Sequence, residues 1–407
     1  MAVPLSPTSA QDRIQSLDLL RGIAVLGILL MNIQSFSMPG AAYLNPTAYG
    51  NLEGVNHWVW VLSHLFADQK FMTLFSILFG AGILLVSERA KRKSQSPLGF
   101  HFSRNFWLLI IGLVHAYLIW YGDILVIYAL CSFLVVWLRN KPPRTLLAIG
   151  LIVLCIPTLI NLFFSASLQF MPPDVLEELR LDWHPSEEML LAELAEVRGS
   201  LAGLLAHNAH AAWEMHTFVF FVLFLWRVSG LMLIGMALYG WGILTASRSA
   251  SFYKKGMLLG FSIGFPITVY GMFQNFQAGW QMEYSMFTGS AYNYWGSLGL
   301  SYGYLCAVML WSKSTASAEI KSRFAAVGQM ALTNYVAQSI IGGIIFYGVG
   351  LGLFGQADRL TQLGITLGIW ALQFSWSKPW LNSFRFGPLE WTWRSLTYRK
   401  LQAMKKS

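Results

Sequence analysis

The stretch from Gln15 to Phe36 reads QSLDLLRGIAVLGILLMNIQSF. It is long and apolar enough to cross a bilayer core, which needs about 20 residues as a helix. Yet it opens with an acid and a base, Asp18 and Arg21, and carries an amide, Asn32, near its far end. At i and i+3 the two charges share a helix face and can pair. Charge in such a segment is costly, and marks either an interfacial anchor or a working site.

Similar stretches recur along the whole chain. Apolar residues make up 55% of the 407 and charged residues only 12%, too little charge to cover a soluble domain of this size. The expected fold is therefore an all-α integral membrane protein, a single polytopic domain over 1–407. About ten stretches have the required length: near 17–36, 71–88, 104–121, 123–139, 144–166, 217–246, 256–274, 292–312, 325–354 and 360–381. The two longest are expected to hold a break, a tilt or an interfacial turn. The pair at 104–139 reads as a tight hairpin, because only Tyr121 to Asp123 are available to turn the chain. With Arg13 as the one base before Arg21, the first run reads as a retained helix, not a cleaved signal.

A net charge of +9 can indicate a nucleic-acid partner, but here position excludes it. The bases fall in alternate loops: SERAKRKSQSPLGFHFSRN (Ser87 to Asn105), RNKPPR (Arg139 to Arg144), Arg248 with Lys254 and Lys255, and Lys313 with Lys321 and Arg323. The tail after Lys378 is basic too, whereas the other loops hold only Lys70, Arg180, Arg198 and Arg359. This asymmetry orients helices, and places both termini in the cytoplasm. The largest outer segment, about 167–216, is acidic and has helical spacing, so one or two amphipathic helices are expected on the bundle. The end of the chain, about 384–407, reads as a cytoplasmic amphipathic helix starting at Pro388. Gly256, Gly260 and Gly264 form a small-residue stripe for close helix approach. Pro266 is expected to kink that helix.

The remaining polar groups inside apolar runs are the functional candidates. The hairpin brings His115 and Asp123 to one depth, with Tyr128 five residues on. A carboxylate beside an imidazole fixes its tautomer and stabilises its charged form, which suits a general base. Arg227 sits mid-run and needs a partner or a watery cavity. Asn334 and Gln338 lie four apart on one helical face. The expectation is that Arg227, Asn334 and Gln338 line an internal cavity, with His115 and Asp123 above and Arg21 below. His57 and His64 precede the second run and are either catalytic or part of an interfacial belt with Trp58 and Trp60. His207, His210 and Glu214 share a face but specify no fourth ligand, so no metal is expected. Cys131, Cys155 and Cys306 read as free core thiols. No P-loop or HExxH motif is present.

Several stretches resemble the YeiB family of bacterial membrane proteins over nearly the full length. They are LDLLRGIAVLGILLMNI, KFMTLFSILFGAG from Lys70, GLVHAYLIWYGDILVIYAL, GQMALTNYVAQ, and FGPLEWTWRSLTY with Gly387, Pro388, Glu390, Trp391, Trp393 and Arg394. The family is distantly similar to the heparan-α-glucosaminide N-acetyltransferases, mainly over Asp18, Arg21, Gly22 and Asn32. Those enzymes carry acetyl groups from cytoplasmic acetyl-CoA to an amino sugar. They place an active histidine between the first two helices, where this chain has His57 and His64. The YeiB pattern instead contains His115. The resemblance implies a multi-pass protein of the bacterial cytoplasmic (inner) membrane. In it, Asp18 and Arg21 would face acyl-CoA as donor substrate, with no resident cofactor, and Asn32 would line the reacting centre.

Three functions stay open at this point. A transmembrane acyltransferase would use His115 as base and Asp123 to orient it, with Arg227 or Asn334 polarising the carbonyl. Its acceptor would be an extracytoplasmic hydroxyl or amine on an envelope sugar or lipid. A transporter of a small anion or amphiphile would use the same groups as a relay, although no internal repeat is visible. A non-catalytic scaffold or sensor leaves the buried polar groups without a role.

Overall fold

A computed structural model describes residues 13–92 and 96–406. Lys93, in the first basic loop, lies outside the described residues, as do residues 1–12. The described chain is helical, apart from an isolated antiparallel bridge between Phe384 and Lys405. The first helices are α1 (Gln15–Ser37), α2 (Ala41–Leu44), α3 (Gly54–Phe66), α4 (Lys70–Arg92), α5 (Pro97–Leu118), α6 (Leu125–Val135) and α7 (Pro143–Ser167). An insertion follows with α8 (Pro173–Trp183), α9 (Glu187–Arg198) and α10 (Leu201–Glu214). The bundle resumes with α11 (Leu225–Gly240), α12 (Ala250–Gln277), α13 (Met282–Tyr284) and α14 (Ser290–Lys313). It closes with α15 (Ala318–Gln329), α16 (Ala331–Phe346), α17 (Arg359–Ser383) and α18 (Pro388–Tyr398).

Five helical stretches among the described residues are long and apolar enough to cross a membrane: Gln15–Ser37, Gly54–Arg92, Pro143–Phe170, Leu201–Gly240 and Ala250–Gln277. Their outward faces explain why so much apolar sequence is needed. Ile152, Leu159 and Phe163 on α7 and Leu258, Leu259 and Phe273 on α12 are all exposed, apolar faces of the kind that lipid covers. Helix α1 is the opposite case, with 72% of its apolar window buried. It is the central helix, against which α4, α15, α16 and α17 pack.

Close backbone contact sets this packing. A Cβ at Gly22 would stand 1.9 Å from Phe324 O, and one at Gly328 would stand 1.9 Å from Asp18 O. Glycines at both positions therefore let α1 and α15 touch where Asp18 and Arg21 project. The stripe Gly256, Gly260 and Gly264 meets α14 in the same way, Gly260 against Gly299 and Gly303. Helix α12 runs through Pro266 without interruption.

Both long runs are irregular. The run near 217–246 begins with a π-helix, Met215–Phe224, before α11. The run near 325–354 breaks at Met330 and ends in turns after Phe346. The acidic insertion forms three helices where one or two were expected. It is tied to neighbouring loops: Gly40 N donates to Glu193 Oε1 at 3.0 Å, Trp183 Nε1 to Trp280 O at 2.7 Å, and Arg198 Nε to Phe354 O at 2.6 Å. All three cysteines are free; Cys131 and Cys306 are buried, but Cys155 lies on the exposed face of α7, outside the core.

Candidate functional site

The turn between α5 and α6 builds the first element of the site. Asp123 Oδ1 accepts the Val126 amide at 2.8 Å and so caps the first turn of α6. Its other oxygen, Oδ2, accepts from His115 Nδ1 at 2.7 Å. The cap fixes the carboxylate, and the carboxylate fixes the imidazole, leaving the lone pair on Nε2. Both side chains are buried, and His115 Nε2 has no hydrogen-bond partner among the described residues. Glycine at 112 lets the two helices meet one turn before His115, since a Cβ there would stand 2.7 Å from Val126 N.

Tyr335 of α16 completes this frame. Its hydroxyl accepts the Ile124 amide at 3.3 Å and donates to Gly122 O at 3.4 Å, and its ring centroid lies 5.2 Å from that of His115. Sequence reading passed over it, although it follows Asn334 directly.

A cavity of about 300 Å³ joins this frame to the basic end of the bundle. Tyr335, Ile124, Leu125 and Tyr128 form its inner part; Leu78, Phe79, Ile83 and Leu108 form apolar walls. Arg13, Arg21, Arg89, Arg104 and Arg394 lie around its basic end with Asp18 and Glu390. Helix α1 contributes Ile14, Leu17, Asp18, Arg21 and Ile28, a spacing of three, four and seven that defines one face. Asn32 continues that stripe one turn beyond Ile28 and is half-buried. Eleven residues at 1.5 Å each put it about 16 Å along the helix from Arg21. Arg21 Nη1 lies 2.8 Å from Asp18 Oδ1, and Arg13 Nη1 lies 3.8 Å from Asp18 Oδ2.

The C-terminal helix forms part of the same wall. Glu390 Oε1 accepts the amides of Leu332 and Thr333 at 2.7 and 3.1 Å, and Oε2 accepts the Thr333 hydroxyl at 2.6 Å. The break at Met330 exposes those amides, and Glu390 closes them.

The expected cluster of Arg227, Asn334 and Gln338 is not assembled. None of the three lines this cavity. Arg227 donates to Tyr294 O, Thr73 Oγ1 and Ser297 Oγ at 2.9 to 3.3 Å and stacks 4.2 Å over the Tyr294 ring. Asn334 is saturated by Val327 O, Ser377 Oγ and Trp376 Nε1. Gln338 Nε2 donates to Val25 O and Gln373 Oε1. Arg227 thus ties α11 to α4 and α14, while the two amides tie α16 to α17, α15 and α1. Similar depth along the chain did not mean adjacency.

A second polar cluster lies at the α3–α4 junction. Lys70, read from sequence as a loop base, is fully buried; its Nζ donates to His64 O at 2.7 Å and Asn293 Oδ1 at 2.6 Å. Asn293 Nδ2 donates to Asp68 Oδ2 at 2.6 Å, and His64 Nδ1 lies 3.1 Å from the same oxygen. The His57 ring packs against Trp58 and Phe276. Gly299, Ser301 and Gly303, which sequence reading passed over, have the GxSxG spacing of a nucleophile elbow. They sit inside α14, where Ser301 Oγ donates to Lys70 O at 3.0 Å. A nucleophile elbow needs a strand-to-helix turn, so this serine is a helix–helix tie. His207 lies 3.6 Å from Glu196, and no three His, Cys, Asp or Glu side chains among the described residues are grouped to hold a metal.

Residues 238–400 match the family described as "Protein of unknown function (DUF418)". Over 95% of its length the chain is 33% identical to "Uncharacterized protein YeiB" of Escherichia coli (strain K12), of which it covers 97%. It is 32% identical to "Uncharacterized protein YxaH" of Bacillus subtilis (strain 168), over 99% of the chain and 98% of that relative.

Proposed function

The chain belongs to the YeiB family, and on that premise we propose that it is a transmembrane acyltransferase. It would move an acyl group from cytoplasmic acyl-CoA to an extracytoplasmic hydroxyl or amine on an envelope sugar or lipid. In this reading about ten helices cross the bacterial cytoplasmic membrane, with both termini and the basic end in the cytoplasm.

One observation carries the proposal: a cavity with arginines at its basic end reaches the residues that frame a buried His115–Asp123 pair. An anionic donor would enter at the basic end, with Arg21 held by Asp18 as one of its contacts. His115 Nε2 would take the proton of the acceptor as its oxygen or nitrogen attacks the thioester carbonyl. Collapse of the tetrahedral intermediate breaks the carbon–sulfur bond, and the CoA thiolate receives the proton from the imidazolium. Tyr128 lines the cavity, and among the described residues its hydroxyl has only long contacts, 3.4 Å to Met72 O and 3.5 Å to Ser76 Oγ. In this reading it would donate to the developing oxyanion in place of Arg227 and Asn334, which are bonded elsewhere. Asn32 lies on the donor-facing stripe of α1, toward the acceptor side.

The test is binding and turnover of labelled acetyl-CoA by purified protein in nanodiscs, following both label retained on the protein and CoA released. Binding lost in Arg21→Ala, with turnover lost but binding kept in His115→Ala, supports the assignment. Label retained by wild type indicates an acyl-histidine intermediate in place of direct transfer. Absence of binding across several acyl-chain lengths would overturn the transferase, and a flux assay in proteoliposomes then tests a transporter.

A further inference from the structure

We propose that Arg104 and Arg394 form a clamp for a phosphate-bearing anion at the basic end of the cavity, with the C-terminal helix α18 as one of its jaws. The clamp rests on the acyl-CoA reading only for the identity of the ligand. Both side chains line the cavity, Arg104 from α5 and Arg394 from α18. Each guanidinium is stacked on an aromatic ring. Arg104 lies 4.5 Å over Trp393, whose Nε1 donates to Arg104 O at 2.8 Å; Arg394 lies 4.8 Å over Phe386. Stacking holds the plane of a guanidinium while leaving its edge N–H groups for an acceptor.

The carboxylates of the same cavity are already engaged. Asp18 faces Arg21 and Arg13, and Glu390 is taken by Leu332 and Thr333. Arg394 Nε is buried with no hydrogen-bond partner among the described residues. The Glu390 charge reaches Arg394, but neither Arg104 nor Arg394 is in an ion pair within 4 Å among the described residues, and two such cations in a largely apolar cavity favour an incoming anion. Two forks from separate elements suit the several oxygens of a phosphate or diphosphate better than the two of a carboxylate. This gives Trp393 and Arg394 distinct roles: one ring supports the arginine across the cleft, and the next residue supplies the second cation.

The experiment measures binding to full-length protein in neutral-lipid nanodiscs by calorimetry. The probes are CoA, 3′-dephospho-CoA, pantetheine and inorganic pyrophosphate. The proteins are wild type, Arg104→Gln, Arg394→Gln and Arg394→Lys, with melting temperature as the folding control. Each Gln variant is expected to weaken CoA binding about ten- to a hundredfold while leaving pantetheine unchanged. Arg394→Lys should recover only part, because a point charge lacks the fork. Folded Gln variants that bind CoA like wild type would overturn the clamp and leave the transferase standing. If wild type ignores every CoA compound but binds pyrophosphate, or phosphatidylglycerol nanodiscs, through these arginines, the transferase falls. The clamp then holds a free or lipid phosphate. If wild type binds none of these, both readings fall.

Discussion

Glu390 Oε1 lies 2.7 Å from the amide of Leu332, so a residue near the end of the chain caps a helix that begins at Ala331. With the Thr333 amide and hydroxyl, one carboxylate satisfies three donors at the Met330 break. Helix α18 is thereby seated against the cavity. Glu390→Ala strands those donors and should cost about 2 to 3 kcal/mol. Glu390→Gln keeps an acceptor at the amides and should cost about half as much. Thermal unfolding of the two variants in detergent checks the order. Equal losses, or none in the alanine variant, would refute the cap.

The His115–Asp123 pair yields a separable prediction. Asp123→Asn still offers an oxygen to the Val126 amide, so the turn of α6 survives, but the imidazole loses its charged partner. Turnover should fall by about 10²- to 10⁴-fold in Asp123→Asn and His115→Asn, with donor binding unchanged. The discriminating control is His64→Ala. If it abolishes turnover while His115→Asn does not, the base belongs to the His64–Asp68 pair at the α3–α4 junction.

The unequal legibility of these features has a physical cause. Helix existence was readable because runs of about 20 apolar residues have few other solutions in a bilayer. The His115–Asp123 contact was readable because eight residues and one short turn separate its members. Arg227 was readable as a buried cation, but its partners Thr73 and Ser297 lie 154 and 70 residues away. No periodicity says which helices are neighbours. Lys70 was misread because it sits at a helix start, where a base usually faces water. The Met330 break and the π-helical start of α11 were hidden because apolar composition continues across both. The role of Glu390 requires knowing that α18 folds back on amides 57 and 58 residues earlier.

The proposed ten-span arrangement makes a topological prediction. After replacing Cys131, Cys155 and Cys306 with serine, single cysteines are placed at exposed Lys141, Lys400 and Glu187. On intact spheroplasts, a membrane-impermeant maleimide should label Glu187→Cys alone. Lys141→Cys and Lys400→Cys should react only after permeabilisation. Labelling of Lys400→Cys from outside would remove the cytoplasmic C-terminus, and with it the cytoplasmic donor.

Asp358 supplies the pH-dependent case, as the N-cap of α17. Its Oδ1 accepts the Thr361 amide at 2.9 Å, and its Oδ2 accepts Asn56 Nδ2 at 3.2 Å. Hydrogen bonds from Thr361 hold this carboxyl below the ordinary carboxylate range. The folded state therefore binds this proton less readily than the unfolded chain, whose aspartates titrate near about 3.9. The resulting stability is fully present above that value and is lost as the pH falls through the lower folded one. Asp358→Ala should cost about 1 kcal/mol at neutral pH. Asp358→Asn keeps the cap without the titration. Melting temperatures of wild type and Asp358→Asn, compared between neutral pH and about pH 3, should therefore converge as the acid limb is reached. A constant difference across that range would mean that the carboxyl does not titrate with folding.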